Sequence, residues 1–396
     1  MNMKICFLNP VDLDTAHALN FFYLGKELAK IGYDVTLLLP KIGEKLFIDD
    51  ESDLIHIKRL KILIKPFFSQ QLSYHYWIGG PVQIASNIIA GTFYSFFQHF
   101  DIIHSTKPLV QSAIPALVYS KFRKVLKLVH MDDYEGYGAI LTGYMPIYSK
   151  FIKWYETTVL KYFDAVTCVS PFLSNVAKRF TLKKDIFIVP NGFDFKTFKN
   201  VKPVQSSNSE HLLLYVGGLR KNVDVDFIIR MMPLIIKQNQ NVKLMIVGDG
   251  PRKGELIAMA KKLGVDDKII FKGVQPNNLI PAFLSSADIL LLPFRKNPFN
   301  EARFSNKIPE YMASGKPIVT NPVGVVDGII KNRINGILVK PDNLELYAQA
   351  IIELMENNRL AKKIGKNARE YAMKNLTWKK IARKYDRIYN TLYHGR

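Results

Sequence analysis

Two stretches in the second half of the chain combine glycines, basic side chains and a carboxylate in an order suited to holding a phosphate ester. Val216-Gly217-Gly218-Leu219-Arg220-Lys221-Asn222 follows an apolar run and precedes a helical pattern that begins near Val223. Glycines there let backbone N–H groups approach an anion, the helix N-terminus adds its positive dipole, and Lys221 supplies a full charge. A second helix start, Ser305-Asn306-Lys307-Ile308-Pro309-Glu310, offers N-terminal amides with Ser305 and Lys307 for a diphosphate. Glu310 is placed to accept from paired sugar hydroxyls, because a carboxylate offers two acceptor oxygens. The plainer alternatives are a simple Gly-Gly turn and a glutamate that only supports its helix N-terminus. In the first half, Asp12, Asp14 and His17 occupy the first turn after a strand, His130 sits at a strand end, and Asp132 follows it. Two carboxylates in that turn would repel a diphosphate, so Asp12 and Asp14 are expected to face acceptor hydroxyls or to cap the next helix. Asp12-Leu13-Asp14 and Asp224-Val225-Asp226 have the acid-x-acid form of a metal motif, but such short patterns arise often by chance, and no metal site is expected.

These residues need strand ends and helix starts to position them. Short β-branched or leucine-rich runs alternate with longer helical patterns, which is the mark of βαβ units and parallel sheets. The first half offers strands at Lys4–Leu8, Asp34–Leu39, Ile102–His104, Val125–His130, Ala165–Val169 and Ile186–Val189. The second offers Leu212–Val216, Val242–Val247, Ile269–Phe271, Ile289–Leu292, Ile318–Thr320 and Ile337–Val339. The polar run from Lys199 to Glu210 reads as a linker. The expected division is residues 1–200, residues 201–376, and a C-terminal helix at 377–396 that crosses back to the first domain. Ligands sit at the carboxyl ends of strands in such sheets, so the cleft between two facing sheets is the expected active site.

Composition narrows the classes. A chain of 396 residues with 48 % hydrophobic and 22 % charged residues fits two folded domains and excludes a disordered or fibrous protein. The net charge of +21 is uneven: residues 1–200 hold 23 basic and 17 acidic side chains, residues 201–396 hold 32 and 17. The second half therefore favours an anionic ligand. No zinc-finger spacing, RNA-binding aromatic motif or arginine-rich arm is present, so nucleic acid is not an expected partner. Cys6 and Cys168 lie in apolar runs and read as core thiols in a reducing compartment. The amino terminus enters a strand at once, without the pattern of a signal peptide, and a cytoplasmic protein is expected. Pro81 to Phe100 is too polar for a membrane span and reads as a helix lying on something. Residues 54–100 alternate basic and aliphatic side chains from Ile57 to Lys65, followed by Phe67, Phe68, Tyr74, Tyr76, Trp77, Phe93 and Phe97. That mixture suits a membrane interface and predicts peripheral docking on the inner, anionic leaflet; a sheet edge with a core helix is the alternative.

In their order along the chain, these stretches resemble the retaining, nucleotide-sugar-dependent glycosyltransferases of family 4, which have the GT-B fold. The resemblance runs through Gly217 to Lys221, Ile246 to Pro251, Phe271 to Val274, Ala287 to Pro293, Ser305 to Val319 and Gly324 to Gly336 in the second half. In the first half it runs through Asp101 to His104, Val129-His130, Val169-Ser170 and Val189 to Asp194. It implies an α/β GT-B architecture of two Rossmann-like parallel-sheet domains, the first for the acceptor and the second for the donor. It implies a nucleoside diphosphate sugar as co-substrate with no cofactor, and a glycan or lipid-linked acceptor. Carried over by position, Gly217, Gly218, Lys221 and Gly248 lie at the donor diphosphate, Lys272, Gly273 and Val274 hold the base, Glu310 binds the ribose, and His130 approaches the transferred sugar. Three departures stand out: Gly218 occupies the place of the family's phosphate-loop arginine, so Arg220 is a candidate substitute. Ala302 replaces the first glutamate of the two-glutamate motif, with Glu301 one position off. The first turn, Asn9 to His17, lacks the usual glycine pair. A sugar-nucleotide 2-epimerase on the same fold and a non-catalytic sugar-nucleotide-binding protein are the alternative readings.

Overall fold

Apolar runs flanked by turn residues become parallel strands whose faces are covered by helices, and the chain divides into two such units. A computed structural model describes residues 3–13, 15–41, 52–61, 80–141, 145–181, 185–199, 201–204 and 210–395. The first unit comprises Met1–Ile140, Tyr144–Asn191 and Trp378–Arg396; the second comprises Leu141–Gly143 and Gly192–Thr377.

The first unit holds β1 (Lys4–Leu8), β2 (Asp34–Lys41), β3 (His56–Lys61), β4 (Ile102–Ser105), β5 (Leu126–Met131), β6 (Ala165–Cys168) and β7 (Asp185–Ile188). They form one seven-stranded sheet in the order β3-β2-β1-β4-β5-β6-β7, and every pairing is parallel. The second unit holds β8 (His211–Val216), β9 (Val242–Val247), β10 (Ile269–Gly273), β11 (Ile289–Leu292), β12 (Ile318–Thr320) and β13 (Ile337–Leu338). Its six-stranded sheet runs β10-β9-β8-β11-β12-β13, again parallel throughout. Strand order reverses between β1 and β4 in one unit and between β8 and β11 in the other. A crevice opens at such a switch point beyond the carboxyl ends of the strands, where ligands of doubly wound sheets bind.

Three features bear on the expectations, the first two as departures and the third in agreement. Residues His56–Lys61 form an additional strand at the sheet edge, paired with β2, so this part of the basic stretch is built into the sheet. The remainder, with Ile62 to Phe68, Tyr74, Tyr76 and Trp77, lies outside the described residues. Second, the first unit gives way to the second at Asn191–Gly192, ahead of the polar linker. Phe193 explains this: its N–H donates to Leu376 O (2.9 Å) and its ring packs edge-on to Phe198 at 5.5 Å. Third, Pro81 to Phe96 lies within the helix Gly80–Phe96, and among the described residues no helix is long and apolar enough to cross a membrane.

Each unit has its own core. In the second, Leu213, Leu244, Ile246, Leu291 and Val319 of the sheet meet Ile228, Met232, Tyr347 and Ile351 of its helices. In the first, Ile5, Phe7, Leu37 and Leu128 meet Phe22, Leu24 and Leu28, and the helix Trp378–His394 adds Trp378, Ile381, Tyr385 and Tyr389 to the same core. Cys6 and Cys168 are buried free thiols in β1 and β6.

Candidate active site

On the second unit the predicted residues converge where β8 ends. Gly217 has φ +151° and Gly248 has φ +137°. Gly217 N–H donates to Val247 O and Gly248 N–H to Gly273 O, both at 2.8 Å. A side chain at Gly248 would enter the Gly217 carbonyl, and one at Gly217 would lie 2.8 Å from Lys307 Nζ. The ends of β8, β9 and β10 thus meet backbone to backbone, and the space a Gly217 side chain would fill is taken by a lysine. Lys307 opens the helix Lys307–Ser314, whose N-cap Asn306 forms no side-chain cap. Tyr311, one turn on, accepts the Val216 N–H at 2.7 Å and ties this helix to β8. Lys307 Nζ also lies 5.5 Å over the Tyr215 ring.

Burial pushes the Lys307 ammonium down to about 8, with Arg303 and Arg220 adding repulsion and Glu310 opposing it. Burial pushes the Glu310 carboxyl up to about 7, against the pull of Lys307. Among the described residues no group hydrogen-bonds to the Glu310 carboxylate, so a half-buried acid and a half-buried base share a site with acceptor oxygens still available.

Of the remaining predicted residues, Gly218 adjoins the Arg220 side chain, and Ser305 and Asn306 are half-buried at the helix start. Gly273 (φ +69°) ends β10 beside Gly248, Lys272 and Val274 are exposed, and the Gln275 amide donates to Lys272 O (3.0 Å). Lys221 is exposed at the loop, where Glu255 feels its charge. Glu301 accepts the Gly324 N–H (3.1 Å). Asp224 and Asp226 are engaged by cations: Arg295 Nη1 reaches Asp224 Oδ1 at 3.2 Å and its Nη2 reaches Asp226 Oδ2 at 2.6 Å. Arg252 and Arg230 complete the shell of Asp226. Arg303 was missed in the sequence. Its guanidinium lies over the rings of Phe294 (5.3 Å) and Phe299 (4.8 Å), an arginine held between phenylalanines that also bears on Lys307. The run Phe299 to Phe304 was its only signal.

On the first unit, polar side chains gather at the carboxyl edge near the β1/β4 switch. His17 Nδ1 bonds the Asp132 carboxylate, and His17 Nε2 lies 3.1 Å from Thr106 Oγ1. Lys107, buried and not foreseen, sits 3.2 Å from Asp132 and 3.5 Å from Asp133, and bonds Glu135. Burial alone would raise the Asp132 carboxyl, but His17 and Lys107 hold it well below the usual carboxylate range. Burial would lower the Lys107 ammonium, but Asp132, Glu135 and Asp133 raise it well above normal. Asp132, Asp133 and Glu135 lie close enough together to hold a cation, and the Lys107 ammonium supplies that charge. The signal for Lys107 was the polar run Ser105-Thr106-Lys107 at a strand end.

His130 is buried in β5. Its Nδ1 lies 2.8 Å from Thr167 Oγ1 and 3.3 Å from the Tyr385 hydroxyl, and burial pushes it down to about 3, so the ring is neutral. Asp12 departs from expectation: it is buried, accepts from Arg59 Nε at 3.1 Å and from the Leu13 N–H at 2.9 Å. Its carboxylate is therefore turned to an arginine of the edge strand, and Thr15 caps the next helix, accepting from Ala18 N–H. Asp14 lies outside the described residues.

Residues 21–197 match the family described as Glycosyltransferase Family 4, and residues 197–371 match Glycosyl transferases group 1. The chain is 26 % identical over 302 residues to N-acetyl-alpha-D-glucosaminyl L-malate synthase of Bacillus anthracis, covering 74 % of this chain and 75 % of the relative. It is 21 % identical over 249 residues to alpha-monoglucosyldiacylglycerol synthase of Streptococcus pneumoniae, covering 60 % and 55 %. The fold superposes on Anabaena HepE, solved with UDP-glucose, with a TM-score of 0.71 and 16 % identity over 98 % of this chain and all of that one. With both halves matched in order and two parallel Rossmann-like sheets behind them, the chain belongs to glycosyltransferase family 4 and has the GT-B fold.

Proposed function

We propose that this protein transfers a hexose-type sugar from a nucleoside diphosphate donor to a hydroxyl of a glycan or lipid-linked glycan, with retention at the anomeric carbon and without a metal at the diphosphate. The observation that carries the reading is the Lys307 ammonium lodged against Gly217, with the Glu310 carboxylate three residues along the same helix and free to accept. The chemical difficulty is the negative charge that grows on the diphosphate as its bond to the anomeric carbon breaks. Lys307, Arg220 and the helix N-terminus meet that charge with dipoles and cations already in place, which is the most effective form of transition-state stabilisation. Lys221, exposed at the loop beside Gly218, supplies a further cation once the donor is bound. Glu310 accepts from the ribose hydroxyls, which requires its ionised form. The resemblance assigns the neutral His130 of the first unit to the transferred sugar, and the Asp132–His17–Lys107 group holds the carboxyl edge of that unit's own sheet in a fixed ionic state. No carboxylate is placed as a nucleophile in this scheme. The names of two relatives, an N-acetyl-alpha-D-glucosaminyl L-malate synthase and an alpha-monoglucosyldiacylglycerol synthase, support the joining of a sugar to an acceptor, and the second name carries a lipid. The reading places the enzyme in the cytoplasm, against the inner face of the membrane.

A thermal-shift panel of UDP-, GDP-, ADP- and dTDP-sugars tests the donor side, since a ligand at 100 times its dissociation constant adds about 2.7 kcal/mol. One sugar nucleotide should stabilise the wild type and fail with Glu310→Ala. Transfer should survive EDTA. Loss that Mg²⁺ restores rejects the metal-free scheme, and donor conversion that needs no acceptor points to an epimerase.

A further inference from the structure

The hairpin that follows β5 carries a surface that the sugar chemistry does not use. Its first helix, Glu135–Leu141, starts four residues beyond the end of β5, at the sheet edge that holds His130 and Asp132, and its second helix, Pro146–Thr158, returns towards β6. One side of the second helix is clamped down: Ser149, Ile152, Glu156 and Thr157 are buried. The Glu156 carboxylate accepts the N–H groups of Glu135 (2.9 Å) and Gly136 (3.0 Å), and Gly136 leaves no room for a side chain against the Lys153 backbone. Among the described residues nothing covers the opposite side. Met145 is 70 % exposed, Ile147 76 %, Phe151 45 % and Trp154 59 %, at a spacing that puts the last three on one helical face. The Phe151 and Trp154 rings touch at 5.9 Å.

Charge decides what such a face can meet. The exposed ionisable groups on this helix are Lys150 and Lys153, its one acid is the buried Glu156, and the exposed Lys161 lies in the next turn, beyond Val159 and Leu160. An apolar ridge ending in a tryptophan, on a helix whose exposed charges are ammonium groups, is complementary to an anionic lipid surface, where aliphatic side chains enter the acyl boundary and lysines reach the headgroups. We propose that the face of Met145, Ile147, Phe151 and Trp154, with Lys150 and Lys161, docks this protein on an anionic bilayer. The contact lies on the hairpin next to the edge bearing His130 and Asp132, so a hydroxyl carried by a membrane lipid is delivered to the acceptor side. In that use it rests on the proposed transfer reaction, but docking itself is measured without any sugar.

The test is co-sedimentation of the full chain with vesicles of phosphatidylglycerol and phosphatidylcholine in equal parts, against vesicles of phosphatidylcholine alone. The wild type should bind the anionic vesicles, with a blue shift of tryptophan emission that Trp154→Phe removes. Ile147→Ser with Trp154→Ser should weaken binding at least tenfold, and Lys150→Glu with Lys161→Glu by more than about twentyfold, roughly fivefold for each charge lost. These exposed positions should leave the thermal transition and the sugar-nucleotide shift unchanged. A second aromatic group, Phe93, Phe97 and Phe122, precedes β4 and β5 at the opposite edge of the sheet, and Phe97→Ser with Phe122→Ser serves as the comparison. The proposal is overturned if the wild type ignores anionic vesicles, if the Phe97 and Phe122 pair abolishes binding while the Ile147 and Trp154 pair retains it, or if the face proves to be a dimer contact that Ile147→Ser disperses. Vesicle binding without sugar transfer would overturn the proposed reaction and leave the docking surface standing.

Discussion

In the proposed transfer, Lys307 and Glu310 make donor binding respond to pH in a direction set by their two charges. Diphosphate needs the ammonium and ribose needs the carboxylate. With Lys307 titrating at about 8 and Glu310 at about 7, donor affinity should fall above the first and below the second, giving a narrow bell between them. Calorimetric titration of the donor across pH 6–9 reads both limbs, and Lys307→Ala should remove the alkaline one while cutting transfer by about 10²–10³. Lys221→Ala should cut turnover yet keep both limbs, because Lys221 is exposed and does not figure among the groups that shift Lys307 and Glu310. A bell that survives Lys307→Ala would reject the assignment. This pairing was half legible in the sequence. Ser305 to Glu310 gave the right residue types at a helix start, but nothing along the chain says that Lys307 fills the space left by Gly217, since that contact spans 90 positions and depends on two glycine backbones. Lys107 and Arg303 were hidden for the same reason: each is defined by groups that only the sheet brings together.

At the scale of elements, parallel strands were easy to read because sheets covered on both faces demand near-continuous apolar runs. The exception, β3, lies at an edge, where charged side chains are ordinary, and its basic residues read equally well as a sheet edge or as a headgroup-binding stretch. Arg59 shows what that cost: it turns inward to the buried Asp12. Removing one partner of a buried ion pair strands the other, so Arg59→Ala should lose about 3 kcal/mol in urea unfolding, and much of that should return when Asp12→Ala is added. At the crossing of β8 and β9, Gly248→Ala must relieve both a positive φ and the Gly217 carbonyl. A cost of about 1–3 kcal/mol, with loss of the donor-induced thermal shift, is the expected result. In β5 and β4, burial pushes His130 down to about 3 and His104 also well below its ordinary value. Unfolding frees both to take protons, so between pH 6.5 and 3 the unfolded chain binds more protons than the native one. Stability is then complete above pH 6.5 and is lost as pH falls through that window. Equilibrium unfolding at pH 7 and pH 5 checks the sign.

On the scale of the whole molecule, the net charge of +21, heaviest in residues 201–396, favours an anionic ligand. The proposed donor site uses Lys307, Arg220 and Lys221, while Lys107, Arg59, Arg295 and Arg252 are engaged by carboxylates. Residues 351–396 carry 12 basic and 4 acidic side chains, and the apolar side of their last helix matters more than its charge. Trp378, Ile381, Tyr385 and Tyr389 complete the first core, and the Tyr389 hydroxyl lies 2.8 Å from His104 Nδ1. Cutting the chain after Thr377 removes several side chains each worth about 1.5–3 kcal/mol, more than a typical margin of stability. Hydrogen exchange should then find the first unit unprotected and the second, whose core ends at Ile364, still protected.

That returning helix also fixes an order of events on the ribosome. The first 191 residues emerge early, yet the piece that seals their core is made only after residues 192–377. At about 5–20 residues per second that interval is roughly 10–40 s, during which the groove for Ile381 and Tyr389 stands open to chaperones. The unit synthesised first is therefore the last to close, and its partner must mature beside an unfinished neighbour.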